Sequence, residues 1–395
     1  MQMNTFYDEG VSMKVHCIAL LVILTSGLSC AAERAHILAL GTALPEYSAE
    51  QSAIAEKIVT TLQLEGSMAD FINRIYDRTA IKRRYSVLKD IEMTDSTEAQ
   101  LLKSDFLLNT PMTGIRNDIY IKEAPALALK SAQEAIAQWK GDVADITHII
   151  SISCTGVMAP GIEFLLQKEL GLTSSVQRIG LNFMGCFGAF RGLAVAASIA
   201  KEDPKNRVLV VCTELCSLHV QADIRPEVLV SNALFGDGSA AAIIGGSVQD
   251  TERSLWQIER SAAQALSDSL DDMTWALSDY GCVMTLSSRV PKIIEKDAPA
   301  FIDTLISPED YQKYTWAIHP GGKSIVQALE RVCQLNEKQT AASWHVLENH
   351  GNMSSATFLF VLNKLAQEVE KHPKIIGLGF GPGLSIEGIL LTHSS

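Results

Sequence analysis

The chain has 395 residues, 47% of them hydrophobic and 20% charged, which is ample for a large buried core and for two domains or two similar halves. A net charge of −12 and the lack of a long basic run exclude a nucleic-acid binder of the usual electrostatic kind. Eight cysteines without a Cys-X-X-Cys pair exclude a small disulfide-framework domain, and Cys212 and Cys216 lack a His or Cys pair at zinc-ligand spacing.

These thiols fit a reduced, intracellular core. The N-terminus points the other way. Lys14, the apolar run Ile18–Leu24 and small residues before Glu33 have the layout of a secretory signal peptide with a weak charged end. The run is too short to span a membrane. Residues 1–34 are therefore set apart as an extension or signal-like segment. The reduced thiols favour an extension on a cytoplasmic enzyme, with secretion the alternative.

From there Ala35–Thr42 reads as a strand, and Glu50–Leu64 and Ser67–Ala80 read as helices. The second helix runs into Ile81–Tyr85, the one dense basic stretch. Arg74 and Arg78 share a helix face, and on an acidic protein such a patch fits either an anionic ligand or a solvated face. Ser86–Asn117 is loop-rich. Glu123–Trp139 is a helix, Asp145–Ser153 a β-branched strand, and Pro160–Leu170 a helix. Ile179–Phe183 is a short strand leading through Gly185-Cys186-Phe187-Gly188 into an apolar helix, Ala189–Ala200. Arg207–Thr213 and Ser239–Gly245 are further buried strands. This alternation indicates α/β layering. A polar, linker-like change at Ser247–Arg253 divides 35–246 from 247–395. The second part repeats the scheme, with a strand Tyr314–Ile318, helices Lys323–Gln334 and Ala356–Lys371, and strands Lys374–Phe380 and Ser385–Thr392.

Cys186 sits at a strand-to-helix turn between glycines. The unpaired N–H groups and dipole of a helix N-terminus favour a thiolate there. The other reading is a small buried hydrophobe, the commoner fate of cysteine. His319 and Asn352 stand at element ends among glycines. A histidine can activate a thiol, and an asparagine amide can stabilise an oxyanion without adding charge. Spacing alone does not bring the three together.

The segments GCFGA around Cys186, IHPGG around His319, GNMSSA around Asn352 and GFGPGLSIE at Gly379–Glu387 act as a set. With ALFGDGSAA at Ala233–Ala241 and RIYDRTAIKRRY at Arg74–Tyr85, the set resembles the chalcone synthase family, the type III polyketide synthases, over about Ala35 to Thr392. The resemblance implies a thiolase-like, five-layered αβαβα fold of two pseudo-equivalent halves, 35–246 with the nucleophile and 247–395 with His and Asn, in a homodimer. It implies that Cys186 carries the acyl chain. His319 and Asn352 would hold the thioester carbonyl of malonyl-CoA during decarboxylation. The substrates would be malonyl-CoA and an acyl-CoA starter, with no metal or redox cofactor, no nucleic acid and no stable membrane span.

Phe235 matches a phenylalanine at the cavity mouth, and Pro382 lies in a loop that shapes the cavity. Arg74 and Arg78 match two of three cationic CoA-contacting positions. The third is Phe71 here, and Lys82 is the substitute. Met284, Cys154, Cys216, His219, Ser354 and Ser231, the last in place of a glycine, match cavity-lining positions. Such a soft, apolar wall fits an aliphatic starter and an alkylpyrone or alkylresorcinol product, as in bacterial synthases of that kind. The rivals are a single-condensation ketoacyl synthase III-like enzyme, a non-catalytic secreted binding protein of the same fold, and a cysteine protease. The Pro-Gly-Gly after His319, the intact Cys-His-Asn set and the absence of a protease context argue against them in turn.

Overall fold

The computed structural model describes residues 34–92, 99–103 and 106–393. The signal-like segment, with Cys17 and Cys30, lies outside them apart from Arg34.

Nine strands form one mixed sheet. In spatial order they are Thr315–Ile318, Lys374–Gly381, Ser385–Thr392, Trp256–Ala265, Ala35–Ala43, Asp237–Gly245, Arg207–Leu215, His148–Ser153 and Gln177–Asn182. The two halves meet where Ala35–Ile37 pairs antiparallel with Trp256–Ile258. Outward from that seam the pairing repeats. Ala35–Ala43 meets Asp237–Gly245 antiparallel, that strand meets Arg207–Leu215 antiparallel, and the next step, to His148–Ser153, is parallel. On the other side the steps from Trp256–Ala265 through Ser385–Thr392 and Lys374–Gly381 to Thr315–Ile318 are antiparallel, antiparallel and parallel.

Side-chain alternation builds the layers. Val208, Val210, Cys212, Ala240, Ala242 and Ile244 face one way, as do Ile375, Ile389 and Leu391 from the second half. All pack with Phe190, Leu193 and Ala196 of helix Gly188–Glu202 and with Phe358, Leu359 and Leu362 of helix Ala356–Ala366. Leu209, Val211, Ala241 and Ile243 face the other way, onto helix Thr113–Trp139. Ile376, Leu378 and Ile386 face helices Val290–Asp303 and Lys323–Cys333. The result is helix, sheet, paired central helices, sheet, helix. Phe190 and Phe358 stack across the middle at 4.0 Å.

Some elements depart from the sequence expectation. Helix Thr113–Trp139 begins ten residues before Glu123, inside the segment read as loop. Its first two turns bury only Arg116 and Tyr120, so they carry no apolar periodicity, and Pro125 inside the helix reads as a breaker. The helix read as Ala356–Lys371 ends at Ala366 and is followed by a single 3-10 turn, Val369–Lys371. A hairpin, Met273–Ser278 with Gly281–Leu286, and helices Val290–Asp303 and Glu337–His350 are further elements, unread in the sequence. The hairpin sets Trp275 opposite Met284.

Candidate active site

Cys186 lies in a single 3-10 turn, Gly185–Phe187, between strand Gln177–Asn182 and helix Gly188–Glu202. Gly185 has φ 74°, and a Cβ there would come within 2.5 Å of the Pro382 ring. Glycine thus serves both the turn and the close approach of the 381–383 loop. The residue is 7% exposed. Burial pushes its thiol up to about 11, against the lowering by hydrogen bonds from Ser354 and Asn352. Desolvation of a buried anion thus opposes the thiolate that a helix N-terminus favours.

His319 follows strand Thr315–Ile318, and its backbone N–H donates to the Leu378 carbonyl at 2.8 Å. The ring is buried, and neither nitrogen has a protein partner. Burial pushes it down to about 3, so the imidazole is neutral.

Asn352 precedes helix Ala356–Ala366. Its Oδ1 accepts from the Ser354 N–H at 2.8 Å, which fixes the orientation of the amide. The amide nitrogen then donates to the Gly321 carbonyl at 3.1 Å and faces Cys186 Sγ at 3.9 Å. Gly351, with φ 69°, and Ser354, with φ 49°, bracket this turn in the left-handed region.

All three residues line one cavity of about 800 Å³, with Phe235, Met284 and Phe380 on its wall. Arg78 and Lys323 are the cationic residues on that wall. Lys323 escaped the sequence reading. Its signal was a lysine opening a helix straight after His-Pro-Gly-Gly. The rest of the basic stretch is used otherwise. Lys82 pairs with Glu348 at 2.5 Å, Arg83 pairs with Glu50, and Arg84 is buried against carbonyls. Arg74 and Lys82 do not line the cavity.

A recess of about 20 Å³ shares Cys186, Phe235 and Met284 with this cavity and is lined also by Cys154, Cys216, Ser354, Pro382 and Trp275. One water needs roughly 10–15 Å³ on this measure, so the recess admits a small group. Trp275 and Phe235 also line a further cavity of about 70 Å³, where His219 and Ser231 lie. Trp275 is pinned there. Its indole N–H donates to the Cys154 carbonyl at 2.7 Å, and its ring meets His219 edge-on at 5.5 Å. His219 offers no free polar group to a ligand. Its Nε2–H donates to the Thr155 carbonyl at 2.8 Å, Nδ1 accepts from the Cys282 N–H at 3.0 Å, and burial pushes it down to about 4.

Glu214 is a second residue that sequence reading missed. It is fully buried at the end of strand Arg207–Leu215 and accepts from the Cys154 N–H (3.0 Å), Thr155 Oγ1 (2.9 Å) and Ser355 Oγ (2.5 Å). A carboxylate directly after the apolar run Val208–Cys212 and Thr213 was the available signal.

The chain matches the family models of the chalcone and stilbene synthases, the N-terminal domain over residues 25–248 and the C-terminal domain over residues 257–394. Type III polyketide synthase C of Arabidopsis thaliana is 31% identical over 373 residues, covering 91% of this chain and 95% of that protein. Probable polyketide synthase 1 of Dictyostelium discoideum is 33% identical over 90% of this chain, which spans only 11% of that protein's length. The crystal structure of the C-terminal type III polyketide synthase domain of Steely1, a type I/III hybrid from Dictyostelium, matches with a TM-score of 0.85 at 32% identity. That match covers 92% of this chain and 100% of the domain. With both family domains and the thiolase-like α/β fold in place, the chain belongs to the chalcone and stilbene synthase family: it is a type III polyketide synthase, an acyltransferase of decarboxylative condensation.

Proposed function

We propose that the enzyme loads an aliphatic acyl group from CoA onto Cys186, extends it by repeated decarboxylative condensation with malonyl-CoA, and closes it to an alkylpyrone or alkylresorcinol. The observation that carries the chemistry is the convergence of Cys186, His319 and Asn352 on one cavity. Neutral His319 takes the thiol proton as Cys186 attacks the starter thioester, and the CoA thiolate leaves with a proton. When malonyl-CoA follows, its bond to the carboxylate breaks, carbon dioxide leaves, and the electron pair settles as an enolate. The enolate oxygen accepts from the Asn352 amide and from His319. The enolate carbon attacks the Cys186 thioester, and the sulfur leaves.

Phe235 packs beside the malonyl group and limits water. Arg78 and Lys323 meet the CoA phosphates. Met284, Cys154 and Cys216 support an aliphatic starter because each is apolar and adaptable. The recess of about 20 Å³ supports a second reading, in which the starter is short and the extensions few. The enzyme works in the cytosol as a homodimer. That reading rests on the family and on the outer strand Gln177–Asn182, flanked by the exposed aromatics Phe164 and Phe183.

The test is product mass from purified protein, malonyl-CoA, coumaroyl-CoA and acyl-CoAs of rising length. Catalytic efficiency highest for an aliphatic starter, with a pyrone or resorcinol product, supports the proposal. A preference for coumaroyl-CoA overturns it.

A further inference from the structure

Phe235 and Asn352 come from opposite halves of the chain and are joined backbone to backbone. The Asn352 N–H donates to the Leu234 carbonyl at 2.9 Å, and the Gly236 N–H donates to the Asn352 carbonyl at 2.9 Å. Against this bridge lies Arg84, 5% exposed, on the short strand Arg83–Ser86. Its guanidinium donates to the carbonyls of Phe235 at 2.6 Å and Asn232 at 2.9 Å. Its Nε–H donates to Gln51 Oε1 at 2.9 Å, and the Gln51 amide donates to the Ala233 carbonyl at 2.8 Å. Arg84 and Gln51 together satisfy carbonyls at the end of helix Pro226–Leu234, the group that helix geometry leaves unpaired.

The aliphatic stem of Arg84 touches both sides of the bridge. A Cβ on residue 351 would come within 3.0 Å of Arg84 Cγ, and one on residue 236 within 3.5 Å of Arg84 Cβ. The residue after Phe235 and the residue before Asn352 are thus both glycines packed on one arginine. Burying a guanidinium against carbonyls is costly, and burial lowers its pKa accordingly. One nitrogen, Nη1, donates to both carbonyls, while Nε–H holds the Gln51 oxygen and Nη2 has no hydrogen-bond partner among the described residues; lysine has a single nitrogen and so loses the Nε–H bond to Gln51.

We infer that Arg84 is a positioning residue that sets Phe235 and Asn352 jointly with respect to Cys186. A shift at the Phe235 carbonyl passes through the bridge to the Asn352 amide, which stands 3.9 Å from the sulfur. The inference rests on the oxyanion role given to Asn352 above.

The experiment measures malonyl-CoA decarboxylation by R84K, Q51L, N352A and R84K/N352A, with rates expressed per Cys186 titrated by iodoacetamide. R84K is expected to lose about tenfold or more in kcat per titrated site, because small misplacements of a reacting group are that costly. Its KM should stay within about threefold. Q51L should lose less in the same sense, and it serves if R84K folds poorly. R84K/N352A should lose less than the product of the two single losses, since Arg84 acts in part through Asn352. An arginine that only held the fold would reduce the number of titratable sites and the Tm, leaving kcat per site intact. Wild-type kcat per site in R84K or Q51L, or losses in R84K and N352A that multiply, overturns the inference. An N352A enzyme with the normal rate overturns the reading of Asn352 itself, and this one with it.

Discussion

Replacing Asn352 with alanine removes the amide donor that faces Cys186 Sγ at 3.9 Å. In the decarboxylation transition state, loss of one preorganised oxyanion donor costs about 10²–10³ in kcat. The same substitution leaves the Gly321 carbonyl and the Ser354 N–H without the partners they hold at 3.1 Å and 2.8 Å. Each such buried group costs roughly 1–3 kcal/mol, so some loss of stability accompanies the loss of rate. Asn352→Asp separates the two effects. It keeps an oxygen for Ser354 but turns an acceptor toward the Gly321 carbonyl and the enolate, so it should decarboxylate no faster than Asn352→Ala. Release of carbon dioxide from malonyl-CoA is the assay, with circular dichroism as the folding control and labelled starter loading on Cys186 as the internal reference. Loading should be far less affected. A rate for Asn352→Ala within about threefold of wild type, or an aspartate variant faster than the alanine one, would refute the reasoning.

Three further outcomes follow from the same geometry. Because burial holds the Cys186 thiol near 11, alkylation by iodoacetamide should rise about tenfold per pH unit between roughly pH 7 and 9; a plateau near neutrality would mean that His319 already holds a thiolate. Trp275→Ala should join the recess of about 20 Å³ to the cavity of about 70 Å³ and raise kcat/KM for longer acyl-CoA starters, and an unchanged length profile would show that Trp275 is not the limiting wall. His219, held near 4 when folded against about 6.5 unfolded, refuses a proton that the unfolded chain binds, so stability falls as pH drops through that window. The urea midpoint of His219→Gln should depend less steeply on pH there, and identical slopes in variant and wild type would count against this.

The strands were legible where burial is complete. Arg207–Leu215 and Asp237–Gly245 are buried at every residue, and their apolar composition marks them without any periodicity. The hairpin that carries Trp275 and Met284 mixes buried and exposed positions, and its sequence alternates too weakly to be read. The chemistry of Cys186, His319 and Asn352 was legible because each stands at an element end within two residues of a glycine, though their convergence belongs to the fold. The basic stretch left its use open for a different reason. Lys82 meets Glu348, Arg83 meets Glu50, and Arg84 meets carbonyls near residue 235. Partners so distant along the chain leave no trace in local spacing, so the run of charges does not say which of its members pair within the chain and which face a ligand.

The repeated topology accounts for where the site lies. Each half contributes one helix to the middle layer, Gly188–Glu202 from the first and Ala356–Ala366 from the second, and the two touch through Phe190 and Phe358. Cys186 stands two residues before the first helix and Asn352 four residues before the second. Their contact at 3.9 Å therefore brings two helix N-termini to one cavity. Helix N-termini favour negative charge, and the favourable field is strongest where water is excluded. The field works against the desolvation that raises the Cys186 thiol to about 11. It acts when charge arrives with the substrate, on an enolate oxygen that no single helix end could cover from both sides. With Cys186 in one half and Asn352 in the other, the proposed chemistry would depend on the seam at Ala35–Ile37 and Trp256–Ile258 and on the bridge between Phe235 and Asn352. Substitutions that loosen the central helices should thus lower kcat before they abolish folding.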